Sequence, residues 1–152
     1  MALPTDQTSH LIHATCVSID GIGVVIEGPS GSGKSDLALR LIAEGAHLVA
    51  DDQTALSAEA DRLIARPPPS IAGRMEVRGL GIVTIENLGS VPVGLLVELV
   101  GSDAIERVPT RRRRVFLGIE VPAISLAALE ASAPAKVRLA VRTLRGGIMP
   151  TR

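Results

Sequence analysis

The chain of 152 residues has no tryptophan, no tyrosine and one phenylalanine. Proteins that grip unpaired bases stack them on aromatic rings, so a single-stranded nucleic-acid binder is disfavoured. An excess of one charge is also missing, because sixteen Lys and Arg balance sixteen Asp and Glu. A chain with no net field has no general attraction for nucleic acid or an anionic membrane. Cysteine occurs once, at Cys16. No internal disulfide can form, which fits a reducing cytoplasm. No basic stretch leads into an apolar one at the N-terminus, so no signal peptide is expected. No apolar run is long enough to cross a bilayer, since Glu98 interrupts Val91–Val100. No His/Cys cluster has metal-ligand spacing.

Hydrophobic residues make up 46% of the chain, enough for a real core, and the expectation is a tail over 1–9 and one domain over 10–152. Its most informative segment is Gly28-Pro29-Ser30-Gly31-Ser32-Gly33-Lys34-Ser35, which fits the Walker A pattern G-x-x-x-x-G-K-S. Each residue type has a physical task. The glycines let the backbone bring its N–H groups close to phosphate oxygens. Lys34 offers a point charge to the β- and γ-phosphates, and Ser35 offers a hydroxyl to Mg²⁺. The following helix aims its positive end at the same anion. The context agrees. Residues 22–27 read as a buried strand, 36–43 as a helix and Gly45 as its stop.

Other segments read as follows. Residues 11–19 form one strand, Asp20-Gly21 a hairpin turn, and 46–50 a strand ending in Asp51-Asp52. Strands are expected at 54–57, 62–65, 75–78, 81–85, 94–100 and 115–119, with a break at Pro67-Pro68-Pro69. Residues 101–114, ending in the run Arg111–Arg114, read as an exposed, mobile loop. A short helix is expected at 125–131 and a second at 134–144, closed by Gly146-Gly147. The sum is an α/β P-loop core with a strand-rich mixed sheet, not a simple βαβαβ alternation.

Asp51 and Asp52 stand at the carboxyl end of a strand beside the P-loop, where ligand crevices form in α/β sheets. One acid there can hold Mg²⁺ and the other can take a proton from a hydroxyl. On residue logic alone His13 reads as a core histidine, and His10 and His47 as structural. Glu76 and Arg78 share one strand face before Gly79 and Gly81. They are either a surface ion pair, or a carboxylate for a metal and an arginine for a phosphate. The run Arg111–Arg114 could bind nucleic acid, a phosphate group or an acidic partner, but a short basic run is most often a solvated loop. Arg107 looks ordinary in isolation.

Taken together, His13-Ala-Thr-Cys-Val, Gly21–Ile26, the Walker A segment, Leu48-Val-Ala-Asp-Asp52 and Glu76-Val-Arg-Gly-Leu-Gly-Ile82 resemble the HPr kinase/phosphorylase family. The last segment is the most distinctive, and the resemblance covers about residues 10–110. It implies a phosphoenolpyruvate-carboxykinase-like fold and a cytoplasmic ATP- and Mg²⁺-dependent serine kinase. The partner it implies is the phosphocarrier HPr, with no role for nucleic acid or membrane. The family also runs a reverse phosphorolysis, in which Pi attacks phosphoserine and releases PPi. By position, the resemblance implies that Lys34, Asp52, His13 and Arg107 are catalytic and that Ser35 and Glu76 bind metal. It further implies a homo-oligomer, specifically a hexamer, and a short form without the usual N-terminal domain, as in alphaproteobacteria. The Pro-x-x-Pro-Gly-Arg segment tied to dephosphorylation has only Ala133-Pro-Ala-Lys136 as a counterpart, which leaves phosphorolysis open. Two other classes stay open: a small-molecule P-loop kinase, which needs a helical arginine lid, and a nucleotide-sensing module without catalysis.

Overall fold

The computed structural model describes residues 9–107 and 109–145, the last by its backbone alone. Most of the expected tail, and Gly146-Gly147, lie outside the described residues; Ser9 already belongs to a strand.

The centre is β3 (Ile22–Glu27), an apolar run buried along its length. A strand of that kind must be covered on both faces. It lies between β2 (Ala14–Ile19), antiparallel, and β9 (Val91–Leu99), parallel. β4 (His47–Ala50) pairs with the far edge of β2. The opposite edge of β9 is shared. Its start pairs with β6 (Arg62–Arg66), and its end runs parallel to β11 (Ile119–Leu126). β6 continues into β5 (Thr54–Glu59) and then β1 (Ser9–Ile12), while β11 carries β10 (Arg112–Phe116). The mixed sheet therefore forks at β9 and curls. β7 (Arg74–Val77) and β8 (Gly81–Thr84) form a separate hairpin.

Alternate residues of the central strands feed two cores, as the pleat requires. Val17, Val24, Ile26, Leu95 and Val97 face α1 (Lys34–Ala43) and α2 (Ala133–Arg145). Cys16, Val25, Leu96 and Phe116 fill the curl on the other face. α1 buries Leu37, Ala38 and Leu41, which share one face, and α2 buries Ala133, Val137 and Val141, spaced one helical turn apart. Arg138 locks the two helices together by donating to the Leu41 carbonyl (3.0 Å) and to Glu44 (2.9 Å). Gly23 and Gly94 allow β3 and β9 to meet. A Cβ at Gly23 would fall 2.7 Å from Val91 Cγ1, and one at Gly94 2.7 Å from Ile22 Cγ2.

Five expectations are corrected. The strand at 11–19 is broken at His13, because Ile12 is opposite Thr54 in one arm while Ala14 is opposite Glu27 in the other. His13 is exposed at this break, not a core histidine. The loop expected at 101–114 contains a short 3-10 turn (Ser102–Ala104) and then yields to β10, so Arg112–Arg114 lie in a strand. The helix expected at 125–131 does not form. Residues 123–126 pair with 96–99, and ladder pairing overrides the helix propensity of an alanine-rich stretch. Val91 and Pro92 extend β9 beyond the expected start, with Pro92 placed beside a register shift in its pairing with β3.

Candidate active site

The phosphate loop joins the end of β3 to the start of α1. Gly31 and Gly33 take φ of +81° and +101°, a left-handed backbone open to glycine. Such turns set successive N–H groups toward one concavity. Lys34 is nearly buried, and its Nζ donates to the carbonyls of Gly28 (2.8 Å) and Pro29 (3.2 Å), which folds the ammonium over the loop. The loop is held from behind. A Cβ on Gly33 would lie 2.9 Å from Ala128 Cβ, and Arg40 of α1 donates to the carbonyls of Ala128 and Glu130.

The neighbouring aspartates have opposite surroundings. Asp51 is 5% exposed and accepts three hydrogen bonds. Its Oδ1 takes the hydroxyls of Ser35 (2.6 Å) and Thr15 (3.1 Å), and its Oδ2 takes the Glu76 backbone N–H (3.1 Å). Asp52 is exposed, at φ +71°, in a tight turn closed by the Gln53 N–H on the Asp51 carbonyl (2.8 Å). Asp and Asn tolerate that conformation better than most side chains. The Asp52 carboxylate meets His13 Nε2 at 2.9 Å. Beside this pair opens a cleft of about 480 Å³ lined by residues 10–13, Glu27 and Gly28.

Of the residues singled out from sequence, Lys34, Ser35, Asp51, Asp52 and His13 are brought together. Glu76 reaches the site through its backbone, while its side chain is exposed on β7. Glu76 and Arg78 form no ion pair with each other, and Arg107 is exposed and makes no hydrogen bond or ion pair with the other site residues, among the described contacts. His10 lines the cleft. Sequence reasoning passed over Thr15 and Glu27, took Glu98 only as a break in an apolar run, and read Arg114 as part of a solvated loop. Glu27 and Glu98 stand opposite each other at the carboxyl ends of β3 and β9. Arg114 bridges them, 2.9 Å from Glu27 and 2.6 Å from Glu98, and Arg112 also pairs with Glu98. A glutamate closing each of two apolar strands was the available signal.

The donor set suits a nucleotide with its magnesium. Among the described residues no group of three His, Cys, Asp or Glu side chains could hold a metal alone. Mg²⁺ in nucleotide sites is typically held by one or two protein oxygens, with phosphates and water completing its shell. Ser35 and Asp51 supply such oxygens. The buried Ser32 hydroxyl, inside the loop, has no hydrogen-bond partner among the described residues.

Over residues 6–137 the chain matches the HPr Serine kinase C-terminal domain. The chain belongs to that family. It is 42% identical to the HPr kinase/phosphorylase of Peptoclostridium acidaminophilum over 96 residues, 60% of this chain and 31% of that protein. With the HPr kinase/phosphorylase of Clostridium tetani it shares 40% identity over 90 residues, 59% of this chain and 30% of the relative. The chain thus spans about 30% of the length of these curated relatives. The structure of the Hpr(Ser) kinase/phosphatase from Coxiella burnetii matches with a TM-score of 0.81 at 30% identity, covering 91% of this chain and 97% of that one. The strand-rich curled sheet is therefore the P-loop-containing fold of this family. Among the described residues no helix is long and apolar enough to cross a membrane.

Proposed function

We propose that this domain is an ATP-dependent kinase that phosphorylates a serine of an HPr-type phosphocarrier protein. The observation that carries this reading is the division between Asp51, buried on the Ser35 hydroxyl, and Asp52, exposed on His13 beside an open cleft. One acid sits where a cation belongs, and the other where a partner's hydroxyl can arrive.

When bound, MgATP supplies the γ-phosphoryl group and neutralises its charge. The N–H groups of the loop at residues 28–35, all but Pro29, hold the phosphates together with Lys34. Ser35 donates its proton to Asp51, which leaves its oxygen lone pairs free for the cation. Asp52 orients the serine hydroxyl of the partner and takes its proton as the new O–P bond forms and the bond to the β,γ-bridging oxygen breaks. ADP leaves with that electron pair. His13 fixes the Asp52 carboxylate in position. Family resemblance assigns Glu76 the second metal contact and makes Arg107 an active-site position; from its exposed loop Arg107 either covers the transferring group or contacts the protein substrate. Catalysis of this kind rests on positioning and charge more than on covalent chemistry.

The test is to incubate the protein with labelled ATP, Mg²⁺ and candidate phosphocarriers and to look for label on serine. Asp52→Asn, which keeps the turn, is expected to cut transfer by about 10²–10⁴-fold while nucleotide affinity holds. Lys34→Ala is expected to lose both. Label on a small molecule instead of protein would favour the small-molecule kinase. ATP binding without transfer would leave a nucleotide-sensing module. Adding Pi to phosphorylated partner and assaying PPi tests the reverse direction.

A further inference from the structure

We propose that Thr15 is the positioning residue that gives the two adjacent aspartates their separate tasks. The proposal rests on reading Asp51 as the cation holder and Asp52 as the base. Thr15 lies in β2 and is fully buried, in a strand whose other side chains are apolar apart from Ser18. A hydroxyl there is costly unless its hydrogen bonds are made. Here a single oxygen serves both acids. Its proton goes to Asp51 Oδ1 at 3.1 Å, and its lone pair accepts the Asp52 N–H at 3.2 Å. The register brings it to them, because Cys16 stands opposite Ala50 and Thr15 therefore faces the turn that follows β4.

The two bonds have different consequences. The first holds Asp51 Oδ1 on the side where Ser35 also binds it, so the oxygens that would face a cation are preset. The second ties down the amide of a residue held at φ +71°. Without it that amide loses its partner, the turn can relax toward negative φ, and the Asp52 carboxylate swings away from His13. Strained turns of this kind persist only where their surroundings enforce them. Thr54 provides the contrast. It is equally buried, but among the described residues its hydroxyl donates to the Ala14 carbonyl alone, at 2.8 Å.

Three variants test this: Thr15→Val, which removes the hydroxyl at nearly constant shape, Thr15→Ser, which keeps it, and Thr54→Val as a control. In Thr15→Val the Mg²⁺ dependence of ATP binding is expected to weaken by about 10–100-fold, the loss typical for partners of metal ligands. Exchange of the Asp52 amide proton in the free protein, read by NMR, is expected to speed up by about tenfold or more. Thr15→Ser and Thr54→Val are expected to stay within about threefold of the parent in both readouts. A folded Thr15→Val with parental Mg²⁺ dependence and parental Asp52 exchange overturns the proposal, as does a Thr15→Ser as impaired as the valine. Should the valine variant not fold, Thr15→Ala is read the same way. Absence of phosphate transfer by the parent protein would sink the kinase reading alone, since the exchange of the Asp52 amide still decides the role of Thr15.

Discussion

At the residue scale, two identical neighbours in sequence are chemically different groups in the fold. Nothing in the dipeptide Asp51-Asp52 says which acid turns inward. The choice follows from a positive φ at the second residue and from a hydroxyl 37 positions earlier, and such long-range pairing leaves no local trace. The same limit applies to His13, whose apolar neighbours hide the break that exposes it. Cys16 shows the opposite behaviour, since its place in an apolar strand already foretells burial. Burial pushes its thiol up from 9.0 to about 12, so the thiolate is absent at neutral pH. Alkylation of the native protein at pH 8 is expected to run at the rate of global opening, checked by mass spectrometry with and without denaturant. The raised value also has a sign. Its stabilising contribution is whole below the ordinary thiol value of 9.0 and drains away as pH climbs toward 12. Denaturation curves should therefore show a shallower alkaline loss for Cys16→Ala than for the parent.

At the scale of elements, strand, glycine loop and helix were legible because hydrophobic period, glycine placement and motif agreed. The hairpin of residues 74–84 was legible as two strands for the same reason, although Gly79 and Gly81 read as a close approach of backbone and not as its turn. The segment 125–131 was misread because its alanines favour a helix in isolation, whereas Leu126 and Ala128 are needed in the core under the phosphate loop. The basic run was misread because its partners, Glu27 and Glu98, are remote in sequence. Two predictions belong here. Leu37→Ala in α1 removes a fully buried side chain and is expected to cost about 2–5 kcal/mol in urea denaturation. Gly33→Ala meets both a left-handed φ and Ala128 Cβ at 2.9 Å, so it is expected to lower the melting temperature and to weaken nucleotide binding together. A variant with parental binding and stability would show that the loop has room to shift.

At the scale of the molecule, the candidate site lies where the sheet changes hands. β1 and β2 part company at His13, and α1 starts from the adjoining strand. The general class, a P-loop α/β domain, was readable from one motif and its flanks. The fork was not, because a strand that serves two partners along one edge looks in sequence like any other apolar strand. β9 is held by β3 on one side and by β6 and β11 in succession on the other. Both arms of the sheet thus hang on one shared strand. Urea melts followed by circular dichroism and by Cys16 labelling should coincide in one transition. Two separated midpoints would mean that the arms come apart independently. The slowest-exchanging amides should be those of Val24–Ile26 and Leu95–Val97, so that the innermost rungs surrender only when the whole body does.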